Sequence, residues 1–179
     1  SAFLIACLSP FIGRHIDNNS SYKFWLSAFT IIASLGAASF WFAYPVPESI
    51  FFVCILVVIS NIAFELGAMV YNSLLPFFSQ KTKIGSLSGK AWASGYAGGI
   101  ICLVIILFGF IQTDKPLFGI EKDMSANIRI AGPLVAIWFI CFSLPFIVKI
   151  NNLNKKKKNN NENLFIEVIK NIKSLFSKS

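Results

Sequence analysis

The chain has 179 residues, of which 55% are hydrophobic and 13% are charged, and its mean hydropathy is +0.67. Soluble domains contain about 45–50% apolar and about 25% charged residues, so this composition excludes a soluble globular protein and indicates an all-α polytopic membrane protein. The formal net charge is +8, and the positions of the basic residues explain it without a nucleic-acid partner.

Four apolar stretches approach or exceed the roughly 20 residues that a helix needs to cross about 30 Å of hydrocarbon. They lie at residues 24–44, 50–75, 91–111 and 130–149. Residues 1–9 are also apolar but too few for a span, and we interpret them as the end of a further helix in a fragment of a longer protein. Aromatic residues at the ends of the first stretch, Trp25, Trp41 and Tyr44, suit an interfacial belt.

Basic residues collect on alternate connections between these spans. All but three of the 16 lie within residues 10–23, within 76–90 or from Lys149 onward. The other three are Lys115, Lys122 and Arg129. By the positive-inside rule the richer side is cytoplasmic, so the positive charge is a topology signal.

The end of the chain differs in composition from the spans. We predict a partial transmembrane bundle over residues 1–150 and a cytoplasmic segment over 151–179, which begins with a basic linker. Apolar residues then repeat at steps of three and four, as in an amphipathic helix: Phe165, Val168, Ile169, Ile172, Leu175 and Phe176. Such a helix either lies in the membrane interface or packs on another part of the protein, and the sequence leaves both open.

Polar residues interrupt the second span on one face. At about 100° per residue, Asn61, Glu65 and Asn72 fall within about 40° of one another. An ionised side chain in hydrocarbon costs roughly 2.5–3.5 kcal/mol on insertion scales. Glu65 lies near the middle of the span, the depth at which transporters bind substrates and coupling ions. The stripe is therefore a candidate site for substrate or proton, or else a set of hydrogen bonds to a neighbouring helix.

Small residues recur at the start of the third span. Gly85 and Gly89, and likewise Ala91, Gly95 and Gly99, are spaced by four residues, so each set lies on one helix face. This spacing predicts close packing of the backbone against a neighbouring helix.

Catalytic or metal-binding groups are scarce. The chain has one histidine, His15, and its cysteines stand in separate apolar stretches without paired spacing: Cys7, Cys54, Cys102 and Cys141. We therefore expect no metal site, no cofactor and no enzymatic activity.

Two motifs resemble a known family. SPFIGRHIDN, with Gly13 and Asp17 in G-x-x-x-D spacing, resembles the loop between helices two and three of the major facilitator superfamily. VYNSLLP at residues 70–76, followed by SGKAWASGYAGG, is similar to helices four and five of the subfamily that contains the fungal vacuolar amino-acid effluxers and their bacterial relatives.

The resemblance implies a major facilitator-type helix bundle, of which this chain is part of the N-terminal half, from the end of helix two to helix six. Helix four of that fold lines a central cavity, so Asn61, Glu65 and Asn72 would bind substrate or proton. Gly13 and Asp17 would belong to a cytoplasmic gate loop.

The implied function is secondary active transport of small solutes, with amino-acid efflux by alternating access as the first hypothesis. A drug or sugar exporter of the same superfamily and a non-transporting membrane scaffold are the alternatives. The implied partners are the lipid bilayer, a small-molecule substrate, a proton as candidate coupling ion and the missing C-terminal half of the same chain, with no nucleic acid. The cell inner or plasma membrane is the expected location, or the vacuolar membrane in a eukaryote.

Overall fold

The computed structural model describes residues 2–19, 21–79, 83–113, 117–120 and 122–150. Within the first range, the side chains of residues 2 and 17–19 are not described. The predicted linker and amphipathic helix of residues 151–179 lie outside the described residues.

Helices make up almost all of the described chain. They are α1 (Ala2–Asn19), α2 (Tyr22–Ser39), α3 (Ser49–Phe78), α4 (Ile84–Ile106), the short α5 (Ala126–Arg129) and α6 (131–150). A wider π-helical turn, Leu107–Ile111, extends α4. No β-strand occurs in the described ranges.

Four helical segments are long and apolar enough to cross a membrane. They are Tyr22–Phe42, Ser49–Phe78, Ile84–Ile111 and Asp123–Ile150. Each matches one of the four predicted spans, with ends that differ by at most about two helical turns. The predicted fold class, an all-α polytopic membrane protein with a partial helix bundle, is confirmed.

The first connection is shorter than the sequence suggested. We predicted a loop over residues 10–23 that contains Gly13 and Asp17, but α1 continues through Asn19. Ile16 is 2% exposed and belongs to the hydrophobic core, so tertiary packing stabilises the helix through these polar residues. The placement of Gly13 and Asp17 in a loop was therefore wrong, because both lie in the last turns of α1.

The core lies between α2 and α3 and extends to the neighbouring ends of α1 and α6. Its buried side chains on α2 and α3 repeat at helical spacing: Tyr22, Leu26, Phe29 and Ala33 on α2, and Ala63, Leu66, Val70 and Leu74 on α3. Ile16 of α1 and Ile147 and Ile150 of α6 complete the cluster. The rotation of α3 about its own axis is consequently set by its contact with α2.

Two glycines that the sequence analysis did not select provide the closest helix approaches. A Cβ on Gly36 of α2 would collide with the hydroxyl of Ser60 of α3. A Cβ on Gly132 of α6 would collide with the carbonyl oxygen of Ala37 and lie 2.8 Å from the Cβ of Phe40. Isolated glycines without a repeat carry no spacing signal, which is why the sequence did not reveal them.

The small-residue face of α4, in contrast, is open within the described residues. A Cβ at Gly85, Gly89, Gly95 or Gly99 would meet no atom within 4 Å, and Ala91 is only half-buried. Among the glycines of α4, Gly98 alone would approach a side chain, with its Cβ 4.0 Å from the indole nitrogen of Trp138. Close packing of the predicted face therefore stays a prediction that involves other parts of the protein.

Aromatic contacts show which helix ends meet. Tyr22 at the start of α2 lies 6.0 Å from Phe77 at the end of α3, measured between ring centroids. Phe78 lies 5.5 Å from Phe146 near the end of α6. At the opposite end of the bundle, Arg129 of α5 lies over the ring of Trp41, which follows α2. The connections predicted to be cytoplasmic thus share one end of the bundle.

This arrangement makes a labelling prediction. In full-length protein without native cysteines, single cysteines at Arg14 and Lys90 should react with an impermeant thiol reagent from the same side of the membrane. Cysteines at Ser49 and Lys122 should react from the opposite side. Labelling of Arg14 and Ser49 positions from one side would contradict the arrangement.

The close approach at Gly132 makes a stability prediction. Gly132→Ala should destabilise the full-length protein by about 1–3 kcal/mol, since the new methyl group overlaps the backbone of α2. Gly95→Ala is the matched control, and it should be neutral or stabilise α4 by about 0.5–1 kcal/mol. The measurement is unfolding in detergent. Equal destabilisation by both changes would instead mean that the small-residue face of α4 is packed in the whole protein.

Candidate functional site

The polar stripe of α3 faces away from the core. Asn61, Glu65 and Asn72 are all exposed, whereas Ala63, Leu66, Val70 and Leu74 are buried. At about 100° per residue, the mean directions of these two sets differ by about 165°. The structure therefore keeps the three predicted residues together on one face, and this face is not covered by α2.

Glu65 lies at the middle of α3. The helix has 30 residues, so Glu65 stands only about 2 Å from its midpoint at about 1.5 Å per residue. In the part of the chain that the structure describes, no basic side chain forms an ion pair with it. An ionised group at mid-depth needs water or a partner, and Glu65 is exposed among the described residues.

The predicted gate residues lie at the end of α1. A Cβ on Gly13 would meet no atom within 4 Å, and the side chain of Asp17 is outside the described residues. Between them, the His15 ring packs edge-on against Trp25 of α2, with centroids 5.8 Å apart. The end of α1 is thereby held against α2, and a gating role for Gly13 and Asp17 stays a prediction.

An arginine and two aromatic rings join the opposite helix ends. The guanidinium carbon of Arg129 lies 4.0 Å from the centroid of the Tyr44 ring and 5.1 Å from that of Trp41. Its Nη1 also donates a hydrogen bond to the carbonyl oxygen of Met124 at 3.2 Å. The aromatic residues were predicted to form an interfacial belt and Arg129 to lie on the less basic side, but no spacing signal connects positions so far apart in the chain.

A buried asparagine connects α4 to α5. Asn127 is 7% exposed, and its Nδ2 donates to the carbonyl oxygen of Phe110 at 3.4 Å. Phe110 belongs to the π-helical turn, in which the amide of Gln112 donates to the carbonyl of Leu107 at 2.8 Å. Carbonyls in the last turn of a helix lack partners in the helix, so Asn127 supplies a donor that the helix cannot.

Potential metal ligands do not cluster in the described ranges, and the cysteines form no disulfide. No group of three or more His, Cys, Asp or Glu residues there could hold a metal ion. The four cysteines are free thiols.

The long apolar helices define the class of protein. Several helices long and apolar enough to span a membrane make this a multi-pass integral membrane protein, and one of them carries a carboxylate near its middle on an exposed face. The family model described as vacuole effluxer Atg22-like matches residues 1–179, and the chain belongs to this family of membrane transporters. No curated protein and no solved structure matches the chain.

Family membership confirms the resemblance seen in the sequence motifs. It places the chain with the effluxers of the major facilitator type, so its function class is transport and the family is not one of enzymes.

The contact of Asn127 makes a further prediction. Asn127→Ala should destabilise the full-length protein by about 1–2 kcal/mol, because the carbonyl of Phe110 loses its donor in a buried position. Ile128→Ala, at a neighbouring position that is 53% exposed, should change stability by less than about 0.5 kcal/mol. Apparent unfolding temperatures in detergent compare the two, and an Asn127→Ala protein as stable as the parent would contradict the role of this hydrogen bond.

Proposed function

We propose that the protein is a secondary active transporter that exports small solutes, with amino acids as the first substrate class, by alternating access. The chain would supply most of its N-terminal half. Two facts support the proposal: membership in the effluxer family, and the open polar face on the middle of a long spanning helix. The cell inner or plasma membrane, or the vacuolar membrane in a eukaryote, is the proposed location.

Glu65 is the observation that carries the proposal. A carboxylate that joined α3 to another described helix would point toward the core that α2 and α3 build. Glu65 points the other way, at mid-depth, where an ionised group in lipid costs roughly 2.5–3.5 kcal/mol. A water-filled cavity between the two halves of a transporter removes this cost, because water then solvates the charge.

Asn61 and Asn72 extend the proposed site along α3. They lie about 6 Å and about 10 Å from Glu65 along the helix axis, on opposite sides of it. An amide side chain both donates and accepts hydrogen bonds, so each can bind either end of a zwitterionic amino acid. Glu65 is the negative group of the stripe, and it would bind the substrate amine or carry the coupling proton. Gly13 and Asp17 would act at the cytoplasmic gate.

The test is transport by full-length protein in proteoliposomes, over a pH series, with amino acids, a sugar and a cationic drug as substrates. If Glu65 binds the amine, Glu65→Gln should lower substrate affinity by about tenfold or more, since it removes a charge-assisted hydrogen bond, and the pH dependence should survive. If Glu65 carries the proton, the same change should abolish transport driven by a pH gradient and leave binding largely intact.

Glu48→Gln is the matched control. Glu48 directly precedes α3 and is exposed, so the change removes the same charge outside the span. It should leave affinity and pH dependence unchanged. A Glu65→Gln protein that behaves like this control would assign Glu65 a structural role. Transport of the drug or sugar alone would replace amino acids as the substrate class.

A further inference from the structure

A cation and an apolar groove lie side by side where α2 turns into α3. The groove has a volume of about 460 Å³ and is open on one side. Its lining, which is almost entirely apolar, consists of Tyr44, Pro45, Val46, Pro47, Ser49, Ile50, Val53 and Cys54. Tyr44 is shared, because its ring also lies 4.0 Å from the guanidinium carbon of Arg129.

Some N–H groups of Arg129 form no hydrogen bond with the described residues around them. Its Nη1 donates to Met124, and its Nε is buried without a hydrogen-bond partner among the described residues, so the donors open to a ligand are those of the two terminal nitrogens. No carboxylate in the described ranges forms an ion pair with it. The rings of Tyr44 and Trp41 stabilise the cation from its faces, which leaves the remaining N–H groups of the terminal nitrogens for an anion.

The positions of Arg129 and the groove restrict the kind of ligand that can bind both. Arg129 lies near the start of the candidate span Asp123–Ile150, and Trp41 and Tyr44 lie at or just beyond the end of the candidate span Tyr22–Phe42. Arginine and aromatic residues at the ends of spans favour the depth at which a bundle meets the lipid headgroups. From there the groove runs along the first turns of α3, where Ile50 is 64% exposed. A ligand that uses both features carries a negative charge at headgroup level and an apolar chain directed into the hydrocarbon.

We propose that this end of the bundle binds one anionic phospholipid, with the phosphate on Arg129 and an acyl chain in the groove from Tyr44 to Cys54. A free phosphate or carboxylate would satisfy Arg129 but leave the groove unused. A zwitterionic lipid would fill the groove and also carries a phosphate, but the cation of its headgroup offsets that charge, so it should bind Arg129 more weakly. The proposal is independent of the transport function assigned to Glu65.

The test uses full-length protein in detergent and measures apparent affinity from lipid-dependent unfolding temperatures and from native mass spectrometry. The probes are phosphatidylglycerol, phosphatidylcholine with the same acyl chains, and glycerol 3-phosphate as a headgroup without chains. Phosphatidylglycerol should bind at least about tenfold more tightly than either of the others, since only it combines net charge and chain.

Three variants separate the charge from the groove. Arg129→Gln should lower the affinity for phosphatidylglycerol by about tenfold. Arg14→Gln removes the same charge from an exposed position at the other end of the bundle and should leave the affinity unchanged. Val53→Trp should lower the affinity with Arg129 intact, because the larger ring occupies the groove.

If the Arg129→Gln protein does not fold, Val53→Trp still tests the proposal, because this substitution leaves the contacts of Arg129 in place. Equal affinity for the two lipids would overturn the proposal. So would affinity for phosphatidylglycerol that Val53→Trp does not change. Binding of glycerol 3-phosphate as tight as that of the lipid would reduce the site to one for small anions, which contradicts the role given to the groove.

Discussion

The packing of α3 against α2 is the contact on which the rest of the described bundle depends. Ser60 faces Gly36, and Leu66 and Val70 lie within the core, so α3 cannot rotate without placing side-chain bulk where α2 allows none. One face of α3 therefore packs in the core, and the opposite face carries Asn61, Glu65 and Asn72. The direction of the polar groups thus follows from small and apolar residues on the other side of the same helix.

The spans could be predicted because hydrocarbon thickness requires long apolar runs, and such runs are visible in a sequence without any knowledge of contacts. The polar stripe could be predicted for a similar reason, since helical periodicity alone brings Asn61, Glu65 and Asn72 together. The helical structure at the end of α1 could not be predicted in this way. Gly13 and Asp17 have the local character of a loop, and the burial of Ile16 against other helices, which the sequence does not display, keeps that segment helical.

Contacts between residues far apart in the chain could not be predicted from the sequence either. Arg129 with Tyr44, Asn127 with Phe110, and Gly132 with Ala37 each join residues from different helices or connections. None of these pairs repeats at a regular spacing, and a lone glycine or arginine has many possible neighbours. The packing prediction was based instead on two sets of residues spaced by four, Gly85 with Gly89 and Ala91 with Gly95 and Gly99, although their glycines are open among the described residues. Periodicity identifies a face of a helix, but it does not identify what covers it.

The length of α3 has a consequence for depth. Its 30 residues extend about 45 Å, well beyond roughly 30 Å of hydrocarbon, so the helix must tilt or project from the bilayer. When a rod tilts about its centre, its ends move far and its midpoint hardly moves. Glu65 stands close to that midpoint, so if α3 is centred on the bilayer, a change of tilt would move Ser49 and Phe78 through the headgroups and would hardly change the depth of the carboxylate.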